Sequence, residues 1–393
     1  MNVKHKQLHS LQYDRGAASI FIVVFFALLL GVIVVSFTRI AIQDQQQSTI
    51  SDLNRSAYDS AEAGIEDAIR VLNTYNNECV KVAGPDPKCN KTTGSYKTLT
   101  DNPQIGNCNL HTLPGIAPKA NTKGEVAITT SGNDDALNQA YTCVRMTINT
   151  PDVKINAEQD KSYLVPLLST SGDITSVKVN WHDATTDGNN PPFKTFPELS
   201  QGNTWGNAPA LLRVQLISVP KSNINIDSLS QNASSVFLFP STRPLAVNMI
   251  SMSAANATVG GEKITAPHEA KCSSSSVAYL CGVELNTFVG PAADYTYYLR
   301  ITPLYRSTSF QIILNPGSDT LFNNVQPEID STGRANNVFR RIQQRVQYEA
   351  PTLENFTING TFDITDGFCK DFNVANNPTD YTHNCGDSKY IEP

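Results

Sequence analysis

Three absences shape the N-terminal part of this 393-residue chain. No proline occurs between Met1 and Gly84, no charged side chain between Ala17 and Thr38, and no cysteine before Cys79. Without proline, nothing forces a break in a helix over that stretch. Without charge, the Ile/Phe/Val/Leu-rich run from 17 to 38 is long enough to cross a bilayer, which takes about 20 apolar residues in helical form. With no cysteine following the run, a lipoprotein anchor is unsupported. Charge is sparse elsewhere too. Charged residues make up 17% of the chain, 30 basic against 36 acidic, for a formal net charge of −6. That leaves no broad basic field for nucleic acid, and no specific nucleic-acid binding is expected. Catalytic signatures are also missing: there is no G-x-S-x-G elbow, Walker loop or G-x-G-x-x-G. His268–Glu269 starts like a zincin motif but has no second histidine. The histidines at 5, 9, 111, 182, 268 and 383 lack ligand spacing, and no C-x-x-C occurs. The expectation is a protein that is not an enzyme and carries no cofactor or metal.

What is present begins with one long helix. Beyond Arg39 the apolar positions thin to Ile42, Ile50, Leu53, Ala57, Ala61, Gly64, Ala68 and Val71. Their spacing of mostly three or four marks a single stripe. A continuous helix from Ala17 to about Asn73 would be roughly 85 Å long. Gly31 sits within the membrane run, where it suits close helix approach or local unwinding and serves equally as a tolerated glycine in a membrane helix. Lys4, Lys6 and Arg15 precede the run against a lone Asp14, which keeps the N-terminus cytoplasmic and sends the rest outside. The eight cysteines, Cys79, Cys89, Cys108, Cys143, Cys272, Cys281, Cys369 and Cys385, all lie on that outer side. An even count there reads as disulfides in an oxidising compartment.

A secretory signal peptide has an apolar core of roughly 7–15 residues and a small-residue cleavage site after it. Here the run is longer and continues as SFTRIAIQDQQQ. Cleavage before the run, between Gly16 and Ala17, fits better. A short basic leader ending in glycine, followed directly by an apolar helix, resembles the class III signal of type IV pilins and pseudopilins. Arg15, Gly16, Ala17 and Ala18 resemble the start of the PilX-like minor pilins, and SAYDSAEAGIEDAIR (56–70) is similar to the stretch closing the first helix in that family. The resemblance covers about residues 14–72. It implies processing at Gly16–Ala17 by a prepilin peptidase, methylation of the new N-terminus and insertion in the cytoplasmic membrane. It further implies a minor subunit of a type IV pilus at the cell surface, contributing to pilus assembly or tip adhesion, with other pilins as partners through the N-terminal helix. One position departs. Counting from Ala17, the fifth residue is Phe21, where major pilins carry a glutamate, so the main repeating subunit is disfavoured. Two other readings share these residues: a signal-anchored cell-surface adhesin or carbohydrate-binding protein, and a secretion-system pseudopilin.

Beyond the helix, residues 74–123 are rich in Asn, Pro, Gly and Thr and read as loops held by disulfides. GEVAITT (124–130) and YTCVRMTIN (141–149) are the first clear strands. The favoured pairings are Cys79–Cys89 and Cys108–Cys143, the latter tying loop to strand, although eight cysteines allow 105 connectivities. Cys272 and Cys281 bracket a local staple, and Cys369 and Cys385 bracket the final segment. Pro151 marks a boundary. After it come SYLVPLLS, TSVKVNWHD, ALLRVQLISVP, SSVFLFPST, VAYLCGVEL, DYTYYLRITPLY and TSFQIILN, strand after strand with turn residues between. In VFRRIQQRVQYEA, Val338, Ile342, Val346 and Tyr348 share one face and Arg341, Gln343, Arg345 and Gln347 the other. The expected fold is α+β: the leader (1–16), the long helix (17–73) with its transmembrane segment (17–38), a disulfide-containing pilin-like region (74–150), and a β-rich, antiparallel, sandwich-like extracellular domain (151–393).

Within that distal part a few clusters invite a functional reading. Asp183, Asp187, Asn189 and Asn190 offer oxygens to calcium, without EF-hand spacing, and serve equally as turn formers. Trp181 and Trp205 suit a surface glycan if exposed and a core if buried. Arg340, Arg341 and Arg345 suit an acidic partner or a solvated sheet face. The tyrosines of DYTYYLRITPLY suit an adhesive surface or simply a strand.

Overall fold

The computed structural model describes residues 15–80, 138–188, 208–222, 232–252, 262–273, 278–286 and 290–346, with short pieces at 87–89, 96, 116, 125–128, 205, 257–259 and 288. The helix α1 spans Arg15–Tyr75, 61 residues, and widens into a π-turn at Asn76–Val80. At 1.5 Å per residue it is about 90 Å long. Its two halves have different surroundings. From Ile20 to Asp52 every residue is exposed. From Ser56 the buried positions 56, 57, 60, 61, 64, 65, 68, 71, 72 and 76 recur three and four apart, so one face lies against a sheet. Of the expected stripe, Ala57, Ala61, Gly64, Ala68 and Val71 lie on that face, whereas Ile42 and Ile50, above the sheet's reach, are exposed.

The strands follow in chain order. After β1 (Val126–Ala127) and β2 (Gln139–Thr147) come β3 (Asp152–Ala157), β4 (Tyr163–Leu167), β5 (Ser176–Asp183), β6 (Leu211–Pro220) and β7 (Ala233–Ser241). Four short strands follow: β8 (Met249–Ser251), β9 (Ala257–Val259), β10 (Glu262–Ile264) and β11 (His268–Lys271). The last five are β12 (Tyr279–Asn286), β13 (Tyr295–Leu304), β14 (Thr308–Leu314), β15 (Glu328–Ala335) and β16 (Val338–Arg345). The fold is α+β, one long N-terminal helix and then a strand-rich region.

The sheet beneath α1 has the order β1-β2-β15-β16, antiparallel throughout. We call this sheet with its helix the stem. The strands described between β2 and β15 belong to two other sheets, and we call this unit the insert. One sheet has the order β4-β13-β6-β7-β10-β9 with β11 also beside β7; the other is β3-β14-β5-β12-β8. Residues 328–345, grouped by sequence with the distal unit, therefore return to pair with β2. A boundary at 151 marks where the insert begins, and the chain re-enters the stem near Glu328. The insert is also not wholly antiparallel: β10 and β11 run parallel to β7, and β8 parallel to β12. The chain leaves β7, crosses to the other sheet as β8 and comes back, and that excursion is long enough for a parallel return.

One apolar cluster draws on both insert sheets. Leu212, Val214, Leu238, Leu299 and Ile301 meet Val177, Val179, Trp181, Phe310 and Ile312. The stem has its own smaller cluster of Ile65, Ala68, Val71 and Leu72 against Tyr141, Val144, Met146 and Ile329, with Ile342 and Val346 at its margin. The expected apolar face of β16 thus turns toward the helix.

Candidate functional site

The strongest functional element is α1 and the seat that holds it. Helix and sheet approach closely because both sides are small. A Cβ at Gly333 of β15 would overlap the Ala57 carbonyl oxygen and the Ala61 amide nitrogen, and would lie 2.7 Å from the Ser60 carbonyl carbon. A Cβ at Gly64 would overlap the Ser331 hydroxyl and sit 2.9 Å from Val144 Cγ2. The register of β15 against β2 shifts at Thr332/Gly333, a bulge beneath the helix. Polar contacts flank the seat. Gln139 Nε2 donates to Ser56 Oγ, Ser60 Oγ donates to the Ser56 carbonyl at 2.8 Å, and Arg340 reaches Asn54 Oδ1 at 2.7 Å. Tyr141 donates to Asp67 Oδ2 at 2.6 Å, and Asp67 also pairs with Arg70. Burial and that bond together push the Tyr141 phenol well above its ordinary value. The seat thus fixes one half of α1 and leaves the apolar half without a partner among the described residues. Phe21, Phe25, Phe26 and Leu30 are among its exposed side chains, and a Cβ at Gly31 would touch nothing within 4 Å. Such an apolar helix is a candidate membrane anchor.

Two chain crossings join stem to insert, and a polar knot ties them. Arg345 of β16 pairs with Asp152 of β3 at 2.7 Å and with Glu328 at 3.1 Å. Gln326 accepts from the Lys154 amide at 2.9 Å and donates to its carbonyl at 2.7 Å. Asn324 donates to Asn76 Oδ1 at 2.9 Å, so the end of α1 is stitched to the second crossing.

The residues singled out by sequence fall as follows. Gly16 and Ala17 lie in the first turn of α1. Cys79–Cys89 and Cys272–Cys281 are disulfides, and Cys143 is disulfide-bonded. Cys108, Cys369, Cys385, Asn189 and Asn190 and the leader up to Asp14 lie outside the described residues. Asp187 is occupied in fastening its loop to β14: its carboxylate accepts from the Ser309 amide at 2.7 Å, Ser309 Oγ at 3.0 Å and Thr308 Oγ1 at 3.1 Å. Asp183 accepts from the Thr185 amide and hydroxyl. Among the described residues no cluster of three metal-ligating side chains occurs.

Both tryptophans are core residues, so of the two readings the sequence allowed, the core one holds and the stacking surface does not. Trp181 is fully buried and donates to the Ala210 carbonyl at 3.0 Å. Trp205 donates to the Pro209 carbonyl at 3.0 Å and stacks on Tyr305, ring centroids 4.8 Å apart. Glu269 binds Arg243 at 2.6 Å and accepts from Ser241 Oγ, a structural role for the false zincin motif. The arginine cluster disperses: Arg340 on the helix, Arg341 on Asp330, Arg345 in the knot. Tyr297 and Tyr298 are buried, leaving Tyr295 and Tyr305 half-buried. Sequence reading passed over Gly333 and Ser331, for which the only signal is a strand of small residues opposite a helix stripe of small residues. No protein-family model, curated protein or solved structure matches this chain.

Proposed function

We propose that this chain is a membrane-inserted, pilin-like subunit, a PilX-like minor component of a type IV pilus, with the N-terminus inside and the insert outside. The observation that carries the reading is the division of α1: one half seated on a sheet by glycine and alanine, the other half apolar and uncovered without a break between them. In lipid the apolar half is satisfied. Withdrawn from lipid it must be buried, at about 25 cal/mol per Å² of apolar surface, and equivalent helices of neighbouring subunits supply that burial. Gly16–Ala17 is the processing point, prepilin peptidase the processing partner, and N-methylated Ala17 the mature N-terminus. Phe21 in place of a glutamate, together with the bulk of the insert, favours a rare or terminal position. One cluster shared by both insert sheets supports reading the insert as a sandwich. Its role is binding or priming of assembly rather than catalysis, and no cofactor is required.

The test is the N-terminal residue and intact mass of the protein from its native membrane. A start at methylated Ala17 is expected. A start at Met1 overturns the pilin reading and leaves a signal-anchored surface protein, whose function would rest in the insert. Immunogold labelling along a whole pilus shaft would overturn the terminal position alone.

A further inference from the structure

We propose that the insert carries a saccharide-binding cleft between the β3–β4 and β13–β14 turns. The inference does not rest on the pilin reading. The cleft has a volume of about 420 Å³ and is lined by Gln159, Asp160, Ser162, Arg213, Thr302, Leu304 and Tyr305. That size lies in the range of small-molecule sites.

Sheet register explains why these distant residues converge. On β4, β13 and β6, which are adjacent, Ile301 is opposite Tyr163 and Thr302 opposite Arg213. Leu212 and Val214 point into the insert core, so Arg213 and Thr302 project from the other face. Ser162 joins the row through a 2.7 Å hydroxyl–hydroxyl bond to Thr302. The two turns then wall it. Asp160 is held by its own amide, which donates to the Pro303 carbonyl at 2.8 Å, and the Gln159 amide donates to Ser307 Oγ at 3.0 Å. Tyr305 also lines the cleft, and its ring is stacked on Trp205.

Two of the lining residues have left-handed backbones, Asp160 at φ 61° and Tyr305 at φ 67°. For a bulky aromatic that conformation is an outlier that packing must hold in place, and such strain concentrates at ligand sites. Here the packing is visible: Trp205, Leu211, Phe239 and Leu304 form a buried cluster under Tyr305.

The lining decides the ligand class. A carboxylate and a guanidinium share the cleft, so neither a phosphate nor a cation is favoured by net charge. Gln159 Nε2 donates to Asp160 Oδ2 at 3.0 Å and the Ser162 and Thr302 hydroxyls bond each other; the carboxylate, amide and hydroxyls keep further donor or acceptor capacity, and beside the Arg213 guanidinium that mixture suits the vicinal hydroxyls of a sugar ring. The Tyr305 ring, supported from below by Leu304 and Trp205, offers the apolar surface that the C–H face of a sugar covers.

The experiment uses full-length protein in a detergent without a sugar headgroup. Saturation-transfer NMR is run with methyl glycosides of glucose, galactose, mannose and N-acetylglucosamine. Transfer to the ring C–H protons of at least one is expected. Asp160→Asn, which keeps a residue that tolerates the left-handed backbone, and Arg213→Gln should each weaken binding about tenfold or more, about 1.4 kcal/mol. Tyr305→Asn should abolish the transfer. Near-native circular dichroism of the first two variants separates lost binding from lost folding. No transfer from the parent protein to any glycoside overturns the proposal, as does transfer that Asp160→Asn and Arg213→Gln leave unchanged.

Discussion

Stem and insert bury their backbones in opposite ways. In the insert, both sheets contribute large side chains to one cluster: Trp181, Phe310, Phe322, Leu212 and Leu238 are all fully buried. In the stem, the helix lies on Ser331 and Gly333 through Ala57, Ser60, Ala61 and Gly64, and the contact is between backbones as much as side chains. The insert is held by apolar area, the stem by proximity. Dispersion falls steeply with distance, so a close backbone seat recovers by contact what it lacks in side-chain size. The two units should therefore fail to opposite changes. Removing atoms harms the insert, and adding them harms the stem.

The largest effect is expected from removal in the insert. Trp181→Ala deletes a fully buried indole and orphans the Ala210 carbonyl, at a cost of about 4 kcal/mol. Amide hydrogen exchange read separately in β13 and β2 should show faster exchange at Leu299 with Val144 little changed. Adding a single methyl in the stem comes next. Gly333→Ala drives a Cβ into the helix backbone, which cannot rotate aside, and costs about 3 kcal/mol. Exchange should then rise at Val144 and along Ala57–Ala68 while Leu299 holds. If both substitutions raise exchange equally in both units, the molecule unfolds as one body and the comparison fails.

Removal in the stem should have the reverse sign. Ser331 Oγ is fully buried and, among the described residues, has no hydrogen-bond partner. It also occupies the space facing Gly64. Ser331→Ala deletes an unsatisfied hydroxyl and relieves that contact, so a gain of about 1 kcal/mol is expected, read as a higher denaturation midpoint of the stem. A loss of stability would mean that the hydroxyl serves the seat.

The same contrast decides what could be read from sequence. The apolar run and the helix stripe are local patterns, so the helix was legible nearly to its end. Strands β6, β13 and β14 were legible because their apolar residues alternate. Strand β15 was not. Its helix-facing residues are Ile329, Ser331, Gly333 and Ala335, and the close seat that makes them small erases the hydrophobic period that would mark a strand. β3 was obscured in another way, by the Asp152 and Lys154 that the polar knot needs just after Pro151. The return of 328–345 to β2 is a long-range pairing with no local sign. Cys79–Cys89 and Cys272–Cys281 are short spans and were within reach, whereas burial of Trp181 and Trp205 is not written in their neighbours. The cleft is spread over 159–305 and converges only through strand register.

The smallest expected difference is in response to acid. His182 is fully buried in the insert, with Nε2 2.8 Å from the Gly188 carbonyl and, among the described residues, no partner at Nδ1. That arrangement suits a neutral ring. Burial lowers its pKa from 6.5, opposed by the Gly188 carbonyl, Asp187 and Asp183, with Arg306 acting in the same direction as burial; His268, also in the insert, is lowered by burial. A depressed folded value means the unfolded chain takes up the proton first. Stability from these histidines is therefore full above pH 6.5 and drains as pH falls through 6.5 toward the folded values. No histidine occurs among the described stem residues, so mild acid should lower the insert's midpoint and spare the stem. His182→Asn, which tolerates the residue's φ of 63°, should flatten that acid limb. The alkaline limb gives the control. Tyr141 in the stem is raised by burial and by Asp67, and Tyr279 in the insert is raised to about 12, chiefly by burial, so both units lose stability as pH rises past 10. Tyr141→Phe should remove only the stem's share. An acid limb that moved both units together would show that the polar knot at Arg345, Asp152 and Gln326 couples them more tightly than their separate cores imply.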